Sequence, residues 1–330
     1  MRAWHCTFLV FALACGGTTD DSAMDDGGGT DGTTNDGFVA PDTSPGNDGS
    51  VGNDASTADG GGQDGTVTEA GPFDPTSLGS SLVLWLEGDK GVTQTNNDVS
   101  AWADQTSNHN DASGGTGNGA HQPTVNATAI NGLPAIEFAI PTQQNAPSQW
   151  LDIADSASLQ FGTGDFAIFM VAEYTNDTTG NGGSQAMFYY KVAGNTVPTG
   201  PQLIGNSASG ANNTLESRVR ARLTATDAVN STNTGYNDGK FHRIGIRRNG
   251  QALEVWTDGT LTSLTPDAGA AGDVSATGTD VNIGAAETGG NFVNYRLAGA
   301  IAEVIGVKGT ISDGDVGNLD GYFKSKYGLQ

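Results

Sequence analysis

Phe241-His242-Arg243-Ile244-Gly245-Ile246-Arg247, running through Arg248-Asn249-Gly250 into Leu253-Glu254-Val255-Trp256-Thr257, is the stretch that decides the fold. Two arms rich in β-branched and aromatic residues flank Asn-Gly, the dipeptide that most favours a tight hairpin turn. Outward from this hairpin the same texture recurs. Arg218-Val219-Arg220-Ala221-Arg222-Leu223 alternates polar and apolar residues strictly, as a half-buried strand should. Phe166-Ala167-Ile168-Phe169-Met170-Val171-Ala172 and Ile301-Ala302-Glu303-Val304-Ile305-Gly306-Val307 are the runs of central strands. Ser81-Leu82-Val83-Leu84-Trp85-Leu86 opens the series, and Leu133-Pro134-Ala135-Ile136-Glu137-Phe138 follows the turn dipeptide Asn131-Gly132. Strands so spaced, with Gly, Asn and Asp between them, specify an all-β antiparallel sandwich of two sheets.

The one helix signal is the last. Ser312 can cap it, Asp313 and Asp315 suit its positive end, and Lys324 and Lys326 suit the other end before Gly328. Leu319, Tyr322 and Phe323 form an apolar stripe that docks this short helix on the sandwich.

Before residue 80 the composition changes. Residues 16–76 hold 13 of the 37 acids and no Lys or Arg, in loose repeats such as Thr57-Ala58-Asp59-Gly60-Gly61-Gly62. Nothing apolar there offsets the entropy of ordering, so residues 15–79 are expected to form a disordered acidic tether. A Gly-rich coil of roughly 60 residues reaches on the order of 45 Å, the property of a spacer. A regular Gly-Gly-x-Gly-x-Asp calcium repeat is not present in it. Residues 1–14 fit a cleaved export signal. One positive charge precedes an apolar run from Thr7 to Ala14, far short of the ~20 residues that span a bilayer. Ala12-Leu13-Ala14 also satisfies the small-x-small rule of ordinary signal cleavage at the same bond. The segment resembles a bacterial lipobox, with Leu13 one position nearer the cysteine than is usual. Two readings therefore stand, lipidation at Cys15 and plain secretion. With lipidation, Gly16 after the cysteine implies an outer-membrane lipoprotein, and membrane attachment is through the lipid anchor alone.

Cys6 and Cys15 are the only cysteines, so residues 80–330 fold without a disulfide and rely on their core. The net charge is −23, of which about −11 falls beyond residue 76. Such a polyanion repels phosphate backbones, which excludes nucleic acid as a partner.

Across residues 80–330 the ordered segments resemble laminin G-like, concanavalin A-like jelly rolls. The resemblance is carried by Leu84-Trp85-Leu86-Glu87-Gly88-Asp89-Lys90-Gly91-Val92 and by Trp102-Ala103-Asp104-Gln105-Thr106-Ser107-Asn108-His109-Asn110-Asp111-Ala112. It continues in Asn131 to Phe138, Phe241-His242 with Asp258-Gly259, Leu297 to Val304, and Tyr322 to Gly328. It implies one convex and one concave sheet. It implies no single activity, because this fold hosts lectins, adhesion modules, glucanases and lyases.

Asp104, Asn108, Asn110 and Asp111 place four oxygen donors in one loop. Relatives of the fold often carry calcium, which takes six to eight such oxygens. The alternative is a polar turn whose Asp and Asn bond their own backbone. Seven of the 13 bases after Arg2 lie between 218 and 248. Arg218, Arg220 and Arg222 share one face, and Arg243 and Arg247 share a face of another strand. They form either a cationic groove for anionic glycan or cross-strand pairs with Glu216, Glu254 and Asp258. Trp150, Tyr236, Trp256 and Tyr295 are candidates for stacking on sugars, with Trp150 the most polar in its surroundings. Trp85 and Trp102 belong to the core.

Catalytic patterns are thin. Glu87-Gly88-Asp89 starts a sandwich-glucanase motif, but Gly91 and Val92 stand where its third carboxylate should be. Gly115 to Gly119 lacks a following helix, and His109, His121 and His242 have no zinc spacing. The expectation is a non-catalytic surface module binding carbohydrate or another extracellular ligand. A structural or adhesive protein with protein partners is the second reading, and a glycoside hydrolase or lyase the third.

Overall fold

The Phe241–Thr257 hairpin forms, with its turn one residue later than the Asn-Gly signal places it. Asn249 pairs with Ala252, so Gly250 and Gln251 are the loop, and Gly250 takes the positive φ of 60° that glycine tolerates best. This computed structural model describes residues 72–114, 122–139, 148–175, 185–192, 199–206, 217–224, 226–264, 272–286 and 295–330. The signal, Cys15, almost all of the tether, Gly115 to Gly119, His121 and Glu216 lie outside them.

Within the described residues the chain runs β1 (Leu82–Glu87), β2 (Val92–Thr95), β3 (Asp98–Trp102), β4 (Ala112–Gly114), β5 (Thr124–Ile130), β6 (Leu133–Phe138), β7 (Leu151–Ile153), β8 (Phe166–Tyr174) and β9 (Gln185–Tyr190). It continues through β10 (Gln202–Asn206), β11 (Val219–Arg222), β12 (Ala228–Asn230), β13 (His242–Asn249), β14 (Ala252–Thr257), β15 (Thr260–Leu264), β16 (Val281–Ile283), β17 (Gly299–Lys308) and helix α1 (Asp313–Tyr327). All ladders between them are antiparallel. One sheet has the order β15-β14-β13-β8-β17, with β1 and then β6 and β5 along the far edge of β17. The other has the order β2-β3-β4-β7-β16-β9-β10-β11-β12. Asp98 pairs with Thr124 to join the sheets on one side. On the other side the Thr232 N–H donates to Thr262 Oγ1 at 3.1 Å. The result is a jelly-roll-like sandwich that closes nearly into a barrel, with one short C-terminal helix.

The main core lies between the sheets, where Leu84, Ile168, Ile244, Ile246 and Val304 meet Phe188, Leu203, Val219, Ala221 and Ile283. A second core lies outside the first sheet, under α1, where Phe169, Trp256 and Ile305 meet Val316, Leu319, Phe323 and Tyr327. Strands β8 and β17 are therefore covered on both faces, which is why their sequences are apolar almost without alternation. Helix α1 begins and ends where its caps dictate. Ser312 Oγ accepts from Asp315 N at 3.1 Å, and Gly328 closes the helix at φ 65°. Asn131-Gly132 and Asp258-Gly259 both take two consecutive positive φ values, the type I′ geometry that matches strand twist.

Candidate functional site

The outward face of the second sheet carries a row of polar groups, some of whose atoms are buried without a hydrogen-bond partner. In β11, Val219 and Ala221 point into the core, and Arg220 and Arg222 point out. Arg220 stands opposite Ile204 on one side and Asn230 on the other, and Arg222 stands opposite Gln202. The row through Gln202 continues across the sheet to Tyr190, Asn282, Asp152 and Ser113. Adjacent strands lie about 4.8 Å apart, so this polar row is roughly 24 Å long. Beside it Met187, Ile204 and Ala286 form a small buried apolar patch, flanked by Tyr190 and Tyr295.

Several polar atoms on this face are buried without a hydrogen-bond partner. They are Gln202 Nε2, both carboxamide atoms of Asn206, Arg220 Nε and Asn230 Oδ1. Gln202 is 2 % exposed and Asn206 fully buried. Arg222 Nε donates to Thr224 O at 2.9 Å, and Arg218 Nη1 donates to Ser231 O at 2.6 Å. No carboxylate pairs with Arg220 or Arg222 among the described residues. Burial, and then the like charge of Arg222, push the Arg220 pKa down. Opposing charge would do the reverse.

The structure does not bring Arg243 and Arg247 to this face. Ile244 and Ile246 enter the core from β13, so Arg243 and Arg247, which flank them, point outward beneath α1. Arg243 Nε donates to Asp320 Oδ1 at 2.5 Å, and Arg243 lies 3.9 Å from Asp258. Arg247 pairs with Glu254 through Nε and with Asp313 through Nη2 at 2.6 Å. The five arginines thus divide. Two tie the helix to the first sheet, and three face outward on the second.

Trp150, the candidate with the most polar surroundings, is 4 % exposed with its indole N–H donated to Asp152 Oδ2 at 2.9 Å, so it is a core side chain and not a stacking surface. Tyr236 and Trp256 are also buried, and Tyr295 is half-buried. Trp85 and Trp102 are core, as expected, with indole N–H groups donated to Glu303 Oε1 at 2.6 Å and Glu87 O at 2.7 Å.

The oxygen-rich loop closes on itself. Asp104 Oδ1 accepts from the N–H groups of Trp85 and Thr106 at 2.8 and 3.1 Å. Its Oδ2 accepts from Thr106 Oγ1 at 2.7 Å and Asn110 N at 2.9 Å, while Asp111 Oδ1 accepts from Asp104 N at 2.8 Å. Asn110 Nδ2 ties the loop to Val83 O at 2.7 Å, and Asn108 Nδ2 bonds Thr106 Oγ1 at 3.1 Å. These oxygens already face donors, where a cation would need them turned to itself, so the loop does not fit calcium. Among the described residues no group of three or more His, Cys, Asp or Glu is placed to hold a metal. Asp104→Asn is expected to lose both contacts at Oδ2 and about 2 kcal/mol of stability, read from denaturant unfolding. Unfolding of the unchanged protein should be identical with EDTA and with added calcium.

Two carboxylates, one of them the Glu87 of the partial glucanase motif, stand opposite each other. Glu87 and Glu303 are register partners across β1 and β17, and Lys326 Nζ bridges them at 2.7 and 3.0 Å. Glu303 also accepts from Tyr322 Oη at 2.9 Å and Tyr327 Oη at 2.6 Å, and is fully buried. Burial raises its pKa although Lys326 and its hydrogen bonds oppose the rise. Both oxygens of Glu303 are taken by Trp85, Tyr322, Tyr327 and Lys326, whereas Glu87 Oε2 has no hydrogen-bond partner and lies 2.8 Å from Lys90 Nζ, so the pair anchors α1 through one shared ammonium. At the other end of the sheet His242 bonds Asp258 at 2.7 Å and Asp238 at 3.1 Å through its two ring nitrogens. Burial works against its charge, but the two aspartates outweigh it and raise its pKa.

Gln202, Asn206 and Asn230 were not legible as a site. The alternation in Gln202-Leu203-Ile204-Gly205-Asn206 was a usable signal, but only the long-range register sets it beside Arg220. Among the described residues no helix is long and apolar enough to cross a membrane.

No family model matches the chain, and neither does any curated protein. Solved structures do. The chain is similar to the binding domain of Paraclostridial Mosquitocidal Protein 1, with a TM-score of 0.51 and 11% identity over 74% of this chain and 52% of that one. It is similar to Trypanosoma rangeli sialidase in complex with a difluoro-KDN, with a TM-score of 0.50 and 12% identity over 76% of this chain and 34% of that one. It also matches the binding domain of botulinum neurotoxin serotype D, with a TM-score of 0.48 and 13% identity over 73% of this chain and 50% of that one. The chain thus spans about half the length of the two binding domains and a third of the sialidase chain. At such identities the likeness shows the fold alone, an antiparallel β-sandwich.

Proposed function

We propose that this chain is an exported, surface-displayed binding module that takes carbohydrate on the outward face of its second sheet, without chemistry. In this reading residues 1–14 direct export and Cys15 carries a lipid anchor at the outer membrane. The tether expected over residues 15–79 acts as a spacer only up to about residue 71, because Pro75–Ser81 is a 3-10 helix capped by Asp74 that packs Phe73 and Leu78 on the second core, and the remainder forms a laminin G-like, concanavalin A-like jelly roll. The observation that carries the reading is the cluster of buried polar atoms without partners around Gln202, Asn206, Arg220 and Asn230. Each such atom costs on the order of 1–3 kcal/mol, a cost that a hydroxyl-rich ligand would remove. Similarity in fold to a toxin's binding domain agrees with it. Glu303 accepts four hydrogen bonds and shares the Lys326 ammonium with Glu87, an arrangement that argues against a pair of catalytic carboxylates there.

A glycan array probed with the full chain tests the reading. Retention of glycans, equal with and without EDTA, is the expected result, with no reducing sugar or unsaturated product released. An array with no glycan retained would overturn it in favour of an adhesive protein with protein partners.

A further inference from the structure

We propose that Arg220 and Arg222 select a negatively charged sugar, a uronate carboxylate or a sulfate ester, so that the ligand of the second sheet is an acidic polysaccharide. This rests on the binding reading above and adds its chemical class.

The first argument is charge. The chain has 37 acids and 14 bases, so carboxylates to neutralise an arginine are plentiful. Arg243 and Arg247 use them, and Arg248 donates to the carbonyls of Gly162, Gly164 and Gly272. Arg220 alone of these is half-buried with no carboxylate partner among the described residues and with an unpartnered Nε. A guanidinium kept partly desolvated and unpaired is a standing cost, and the group that removes it best is a planar or tetrahedral oxyanion bound by two parallel N–H donors.

The second argument is what surrounds it. Asn230 Oδ1 is a free acceptor directly opposite Arg220, and Gln202 Nε2 a free donor opposite Arg222. Directly opposed side chains stand about 5 Å apart, within the span of one sugar ring. An inorganic anion could accept from the arginine and from Gln202 Nε2, but it offers no donor to Asn230 Oδ1. A sugar acid supplies an anion and hydroxyls on one ring.

The test is binding of the full chain to four polymers by calorimetry: polygalacturonate, its methyl ester, dextran and dextran sulfate. The ester keeps the backbone and hydroxyls and loses the charge. Polygalacturonate, dextran sulfate or both should bind at least about tenfold more tightly than their uncharged counterparts. Which of the two binds identifies carboxylate or sulfate as the group. Arg220→Met should lose at least about tenfold in affinity for the bound acidic polymer, and Arg220→Lys should recover part of it, because charge returns without the fork. Arg220→Met should also melt about 2–4 °C higher, since an unpaired buried charge is removed, which separates lost recognition from lost folding. If the ester or dextran binds as tightly as its charged form, or Arg220→Met binds unchanged, the charge assignment is overturned and the carbohydrate reading survives. If none of the four binds and the array is also empty, both are overturned.

Discussion

Lys326→Met should destabilise the protein by about 3–5 kcal/mol at neutral pH, because it leaves two buried carboxylates facing each other with no cation between them. Lys326 sits in the last turn of α1 and reaches Glu87 at 2.7 Å, Glu303 at 3.0 Å and Asp89 at 3.3 Å. Burial disfavours its charge, but Glu303 and Glu87 outweigh burial and raise its pKa, so it remains an ammonium. The pH dependence distinguishes this cause from simple loss of packing. The Glu303 pKa is already raised in the folded state, above the 4.5 of a free glutamate. Its native form therefore holds a proton to higher pH than the unfolded chain does. The associated stability is present at low pH and is lost as pH rises through the folded value. Removing the ammonium raises that value further, so the deficit of the variant should be greatest at neutral pH and shrink as the pH falls into the range of carboxylate protonation. Urea unfolding at several pH values measures it. A deficit that stays constant with pH would assign the effect to the packing of the lysine stem.

Gly245→Ala should cost about 3 kcal/mol, although it adds a single methyl group. Gly245 is the register partner of Phe169 on one side and Trp256 on the other. The two rings meet edge to face at 5.3 Å. A Cβ on Gly245 would lie 2.5 Å from Phe169 Cδ1 and 2.9 Å from the Ile168 carbonyl oxygen. The second is backbone of the neighbouring strand and cannot rotate away, so strands β8 and β13 must separate or the aromatic pair must break. Chemical denaturation gives the loss, and near-ultraviolet circular dichroism should show Trp256 losing its fixed environment. Gly317→Ala is the matched control. A Cβ there meets nothing within 4 Å, so alanine should stabilise α1 by about 1 kcal/mol.

The sandwich was legible where local chemistry and global burial agree. Strand β6 and the start of β8 lie where their apolar runs begin, and α1 lies between the cap and the glycine that specify it. Strands β4, β7, β12 and β16 were not legible, because three residues are too few to establish a period. The Asn96-Asn97 turn adopts the same paired positive φ as Asn131-Gly132 without the glycine that signals it. The alternation of Arg218, Arg220 and Arg222 was readable, but their separation from Arg243 and Arg247 was not. That separation depends on which sheet each strand joins, and no residue near either group encodes it. Trp150 shows the limit of polar neighbours as a sign of exposure, since Asp152 supplies the partner that lets its indole be buried. The Asp104 loop shows the same limit for oxygen-rich segments. The oxygens were visible in the sequence, whereas the amides that claim them come from β1 and from the loop's own later residues.

Arg248 bears on how this domain holds together without a disulfide. Its guanidinium fastens the Gly162–Gly164 turn to Gly272, joining parts of the chain more than a hundred residues apart through carbonyl oxygens. That is the kind of cross-link that many exported proteins make with sulfur, and residues 72–330 contain no cysteine. A fastening of this type forms and reforms without an oxidant or an isomerase. Recovery from denaturant should accordingly proceed equally well in dithiothreitol and in air, and the ambient redox state should have no hold over whether the jelly roll is intact.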